Sequence, residues 1–154
     1  MSKILGLHVR LDGGRYRAGF ASVDDGGRVS YSYSLHAPTE GEAQQLHELQ
    51  RTTLEVLRAQ EPDTVVLARN ESQDKGQLRT CAHAEGVVLA ACAEHGLDVQ
   101  TLGGMSFIKP AGLAQGGTVA KAATKLCQDA GFTTKQADER YAAAAALVLR
   151  LRHP

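Results

Sequence analysis

A short apolar run near the amino terminus, KILGLHVRLD at 3–12, constrains the fold more than any other stretch. Ile4, Leu5, Leu7 and Val9 read as a buried strand, with His8 the polar residue in its middle. Gly13-Gly14 then turns the chain into a second strand over 16–23, where Tyr16, Ala18, Phe20 and Ser22 alternate with Arg17, Gly19, Ala21 and Val23. Asp24-Asp25-Gly26-Gly27 is a hairpin signal, because glycine accepts the positive φ that tight turns need. A third strand over 28–35 puts Val29, Tyr31, Tyr33 and Leu35 on one face and serines on the other. The chain therefore opens as a three-stranded antiparallel meander.

The rest alternates helix and strand. Pro38-Thr39 breaks the pattern, and Thr39 is the expected N-cap of a helix that runs to about Gln60 with Leu46, Leu49, Leu54, Val56 and Leu57 on its apolar face. TVVLA at 64–68 is wholly apolar, as in the middle of a parallel sheet. A polar loop over 69–76 leads to a helix at 77–95 rich in small residues, then a strand at 97–102. A glycine-rich connection over 103–117, a helix at 118–130 and an alanine-rich final helix from about Lys135 to Arg152 complete the chain. The order β-β-β-α-β-α-β-α-α predicts one α/β domain over 1–154: a mixed five-stranded sheet, three strands antiparallel and then parallel ones, flanked by helices. This is the order of the ribonuclease-H-like fold.

A chain of 154 residues, 43% hydrophobic and 22% charged, is long enough to bury a core. No window approaches the about 20 apolar residues of a membrane span, and no signal-peptide pattern is present. Cys81, Cys92 and Cys127 are odd in number and lack CxxC spacing, so free thiols packed in the core of a cytoplasmic protein are expected. Lys and Arg balance Asp and Glu at 17 each, so binding to nucleic acid requires a local basic patch. GLAQGGTVAK at 112–121 lacks the spacing of a nucleotide-triphosphate loop, although the helix start at Gly117-Thr118 can receive an anion.

Over most of its length the sequence resembles the Holliday-junction resolvases of the RuvC family. The likeness rests on a collinear series: ILGLHVRLDGGRYRAGFASVDDGGRVSYSYS with the family's first hairpin, PDTVVLA with its fourth strand, the stretch from CAHAEGV to VAKAATKL with its helix, fifth strand, lysine loop and next helix, and QADERYAAAAALVLRL with its last helix. A small group of uncharacterised bacterial proteins with an altered acidic set is similar in the same way. The resemblance implies four carboxylates holding two Mg²⁺ ions for phosphodiester cleavage. Here His8 stands at the first acid's position, Ala68 with Arg69 beside it at the second, and Tyr141 at the fourth. Asp138 alone matches. Lys109 and Lys121 match lysines implicated in catalysis or phosphate contact, and Arg10, Arg15, Arg69, Lys75 and Arg140 extend the basic set along the expected cleft.

The resemblance thus implies a non-catalytic protein that binds branched or single-stranded DNA as a homodimer through helix 77–95, with no cofactor. His8 and Asp138 are then relict or alternative site residues. A second reading is a Mg²⁺- or Mn²⁺-dependent endonuclease with a site rebuilt from His8, Asp12, Glu71, Asp138 and Glu139. A third is a protein-interaction subunit whose cleft is unused. Each functional residue also has a plainer role: His8 as a hydrogen-bonded core residue, Asp138 as a helix-dipole partner, Asp12 as turn chemistry, Glu71 and Lys109 as solvated surface.

Overall fold

The structure, a computed structural model, describes residues 2–38, 40–69, 75–113 and 117–153, with the backbone alone at 75–78 and 80. Three strands open it: β1 (Ile4–Asp12), β2 (Arg15–Val23) and β3 (Val29–His36). The two-residue loop Gly13-Gly14 between β1 and β2 has φ of 59° and 78°, a pair of values that side chains resist and glycine accepts. Then come α1 (Glu42–Gln60), β4 (Thr64–Ala68), α2 (Lys75–Glu94), β5 (Val99–Leu102), α3 (Val119–Asp129) and α4 (Ala137–Arg152). A 3-10 helix at Gly104–Phe107 lies inside the stretch read from the sequence as a plain connection.

The sheet order is β3-β2-β1-β4-β5, with β1 antiparallel to β2 and parallel to β4. This is the expected mixed five-stranded sheet. Several boundaries differ by one or two residues: α2 starts at Lys75 and not at 77, and β5 at Val99 and not at 97. The N-cap of α1 is Gly41, with no side-chain cap bond, and Thr39 lies outside the described residues. The final helix begins at Ala137, two residues after Lys135, because Gln136 keeps an extended backbone at φ −91° and ψ 112°.

Helices cover both faces. Leu5, Leu7, Val9, Phe20 and Val65 pack under α1 and α2, while Ile4, Val23, Val66 and Ala68 pack under α3 and α4. The second layer is unusually close. A Cβ on Gly6 would stand 1.8 Å from the carbonyl oxygen of Ala142, and one on Gly19 would stand 2.2 Å from the backbone of Asp138. Glycine in β1 and β2 and alanine in α4 together let the helix backbone rest on the sheet. Residues Ala142–Leu149 are all buried. The three cysteines are buried and form no disulfide among the described residues, and desolvation pushes the pKa of the Cys92 and Cys127 thiols up to about 11.

Candidate functional site

The central strand outruns its neighbour. Pairing of β1 with β4 ends at His8 opposite Ala68, whereas pairing of β1 with β2 continues to Asp12 opposite Arg15. His8 therefore stands at the carboxyl end of the parallel pair, the usual place for a site in an open α/β sheet. Gly19, opposite His8 on β2, leaves room for the first turn of α4 and so brings Asp138 over the same point.

Three side chains converge there. Asp138 is 1% exposed. The Nε of Arg10 donates to its Oδ1 at 2.8 Å, and the Nε2 of His8 lies 3.8 Å from the same oxygen. The Nδ1 of His8 is 3.0 Å from the carbonyl oxygen of Ala68; a carbonyl only accepts, so Nδ1 carries the proton. Burial lowers the His8 pKa below its ordinary value of 6.5, more strongly than the Ala68 bond and the Asp138 charge raise it, and Arg10 lowers it further. The ring is thus neutral at pH 7. Tyr141, one turn along α4 from Asp138, closes over the imidazole with ring centroids 4.9 Å apart.

The other predicted residues divide into two groups. Asp12 ends β1 and pairs with cations, its Oδ2 being 3.6 Å from Arg10 Nη1 and 3.2 Å from Arg17 Nε. Arg15 is exposed on the hairpin and Arg69 is exposed just past β4. Glu139 points away from Asp138 toward β3, where Ser34 Oγ donates to it and Thr134 Oγ1 lies 3.5 Å away. Arg140 donates from Nη1 to the Thr134 carbonyl at 2.8 Å. Lys109 is exposed after the 3-10 helix, and Lys121 is exposed in the first turn of α3, whose N-cap Thr118 accepts its backbone N–H. Glu71 lies outside the described residues, as does the side chain of Lys75.

The arrangement is poor for hard cations. Mg²⁺ demands oxygen ligands in octahedral array. Among the described residues the converging donors are one carboxylate and one imidazole, and a guanidinium already holds the carboxylate. Among the described residues no three His, Cys, Asp or Glu side chains form a group able to hold a metal ion. Arg10 was expected only as part of a basic lining, and its bond to a residue 128 positions away has no signature in the sequence. In the sequence Tyr141 stands only as the replacement of an acid. Its spacing of one helical turn from Asp138 was the available sign that both face His8.

No protein-family model matches the chain, and no curated protein matches it. Solved structures do. The chain is similar to Thermus thermophilus RuvC in complex with Holliday junction substrate, with a TM-score of 0.77, 22% identity, and coverage of 96% of this chain and 92% of that one. It is similar to Thermus thermophilus RuvC in a second structure, with a TM-score of 0.78, 19% identity and coverage of 95% and 92%. The yeast mitochondrial Holliday junction resolvase Ydc2 follows with a TM-score of 0.58, 12% identity and coverage of 99% and 81%. The chain has the ribonuclease-H-like fold of the RuvC resolvases.

Proposed function

We propose that the protein binds nucleic acid, branched or single-stranded DNA, and does not cleave it. The observation that carries this reading is the ion pair of Arg10 with Asp138. Among the described residues the one carboxylate at the junction of β1, β4 and α4, Asp138, has its charge matched by Arg10. A divalent cation entering there must displace a guanidinium from a buried oxygen and accept a neutral imidazole as neighbour, an exchange that water-loving Mg²⁺ makes reluctantly. Binding itself is supported by the fold, shared with a RuvC described in complex with Holliday junction substrate, and by the exposed cations Arg15, Arg69, Lys109 and Lys121. The protein acts as a homodimer joined through the outward face of α2, where Ala82, Gly86, Leu89, Ala90 and Ala93 are exposed.

The test is a gel assay with a labelled four-way junction, a matched duplex and a single strand, each with EDTA, Mg²⁺ or Mn²⁺. A salt-sensitive shift without cleavage is expected, and Lys109→Ala/Lys121→Ala should weaken it without unfolding the protein. Cleavage that needs metal would sink the reading in favour of a rebuilt nuclease. Silence on every substrate would transfer the function to a protein partner.

A further inference from the structure

Two residues outward from His8, on the same face, three adjacent strands align three basic residues. Arg10 of β1 lies opposite Arg17 of β2, and Arg17 lies opposite His36 of β3. Directly opposed residues of antiparallel strands project to the same side of the sheet. That side is the α4 side, since two residues inward the same face carries His8, Gly19 and Ser34, with Gly19 beneath Asp138 and Ser34 bonded to Glu139. Because α4 starts at Ala137, over that inner row, the outer row lies beyond the helix's first turn. His36 is exposed, and the side chains of Arg10 and Arg17 are each 30% exposed.

Like charges set directly opposite one another weaken a sheet. Here Asp12 stands between the two guanidiniums, and Arg10 has a second carboxylate in Asp138 while Arg17 has Asp12 alone. Asp12 does not satisfy Arg17. The Nε of Arg17 is buried and, although 3.2 Å from Asp12 Oδ2, makes no hydrogen bond among the described residues. Arg15, opposite Asp12 on the hairpin, adds a further exposed cation. The planar fork of Arg17 suits the tetrahedral oxygens of a phosphodiester better than it suits a carboxylate it shares with Arg10.

We infer that the Arg10–Arg17–His36 row is a phosphate-binding subsite for a nucleic-acid backbone, with Arg17 its principal donor and Asp12 an internal competitor for it. This rests on the nucleic-acid reading above. Contacts of this kind position a backbone and read no sequence.

The test is fluorescence anisotropy with a labelled four-way junction and a labelled single strand over a salt series. Wild type, Arg17→Gln, Arg17→Lys, His36→Asn and Asp12→Asn are compared, with urea midpoints as folding control. Arg17→Gln should weaken binding about tenfold and lower the slope of log K against log salt by about 0.9, the loss of one phosphate contact. His36→Asn should weaken binding less. Arg17→Lys, which keeps the charge, should keep the wild-type slope. Asp12→Asn should bind more tightly than wild type, a change that a merely structural role for the ion pair would not produce. Wild-type slopes for Arg17→Gln, or weaker binding by Asp12→Asn, would overturn the subsite and leave the nucleic-acid reading standing. A wild type that binds neither DNA would overturn both.

Discussion

The Nε of Arg10 donates to the Oδ1 of Asp138 across 128 residues of sequence, joining the central strand to the first turn of the last helix. The carboxylate is almost wholly buried while the guanidinium keeps 30% of its surface in water. The pair therefore does two things at once: it neutralises the floor of the candidate site, and it pins α4 to β1 at the point where Gly19 lets the helix in.

Breaking this pair from the cationic side strands a buried charge. Arg10→Met should destabilise the protein by about 2 kcal/mol, below the range for a fully buried pair because the guanidinium is partly solvated and screened. Adding Asp138→Asn, which removes the stranded charge, should recover part of the loss. Urea unfolding of the single and double variants checks this. A double variant as unstable as the sum of its parts would show that the two residues do not couple.

His8 should make stability depend on pH in a defined direction. Its pKa in the folded protein is depressed by burial below the unfolded value of about 6.5, so the folded state binds the proton less well than the unfolded chain does. Its contribution is fully present above pH 6.5 and is lost as pH falls from there through the folded pKa. His8→Asn, whose side-chain amide can still donate to the Ala68 carbonyl, should flatten the unfolding free energy over that window. His36, His47, His83, His95 and His153 are exposed, so the difference between the two curves isolates His8. Parallel curves for wild type and variant would remove the proposed neutral ring.

Much of this molecule is legible without a structure, for local reasons. Period-two alternation defines β2 and β3, glycine pairs define the hairpins, and TVVLA is too short and too apolar for anything but an inner strand. Alanines at 142–146 suit a helix lying close on the sheet, and Ala142–Ala146 are all buried there. The site was less legible. That His8 and Asp138 share one place follows from aligning the chain to a known fold, but the partners that decide their chemistry are set by tertiary register. Arg10, Arg17 and His36 form a row only once β1, β2 and β3 are paired. The 3-10 helix at Gly104–Phe107 was hidden for a different reason: four residues are too few to show a period, and Gly104 is there to seat Val119, whose Cγ1 would be 2.5 Å from an added Cβ.

The glycines under α4 predict a steep steric cost. Gly19→Ala would drive a Cβ into the backbone of Asp138, which a side-chain rotation cannot relieve. A loss of about 3 kcal/mol is expected, at the upper end for overpacking a close-packed core, together with disruption of the Arg10–Asp138 bond. Thermal unfolding monitored by circular dichroism measures the first effect. A Gly19→Ala protein with wild-type stability would mean that α4 lies farther from the sheet than 2.2 Å for that contact allows.

The proposed dimer is joined through an outward face of small residues. On α2, Ala82, Gly86, Ala90 and Ala93 face solvent beside Leu89, which is 37% exposed. Their spacing of three and four residues makes one stripe, and small side chains allow a second helix to approach closely. A long charged side chain on that stripe blocks such an approach while costing a lone helix nothing, since arginine is a good helix former. Ala90→Arg should therefore convert a dimer to a monomer with its urea midpoint scarcely moved at low protein concentration. Sedimentation equilibrium over a hundredfold concentration range decides it: a wild type that is already monomeric throughout ends the proposal. An Ala90→Arg protein that remains dimeric moves the interface to another face.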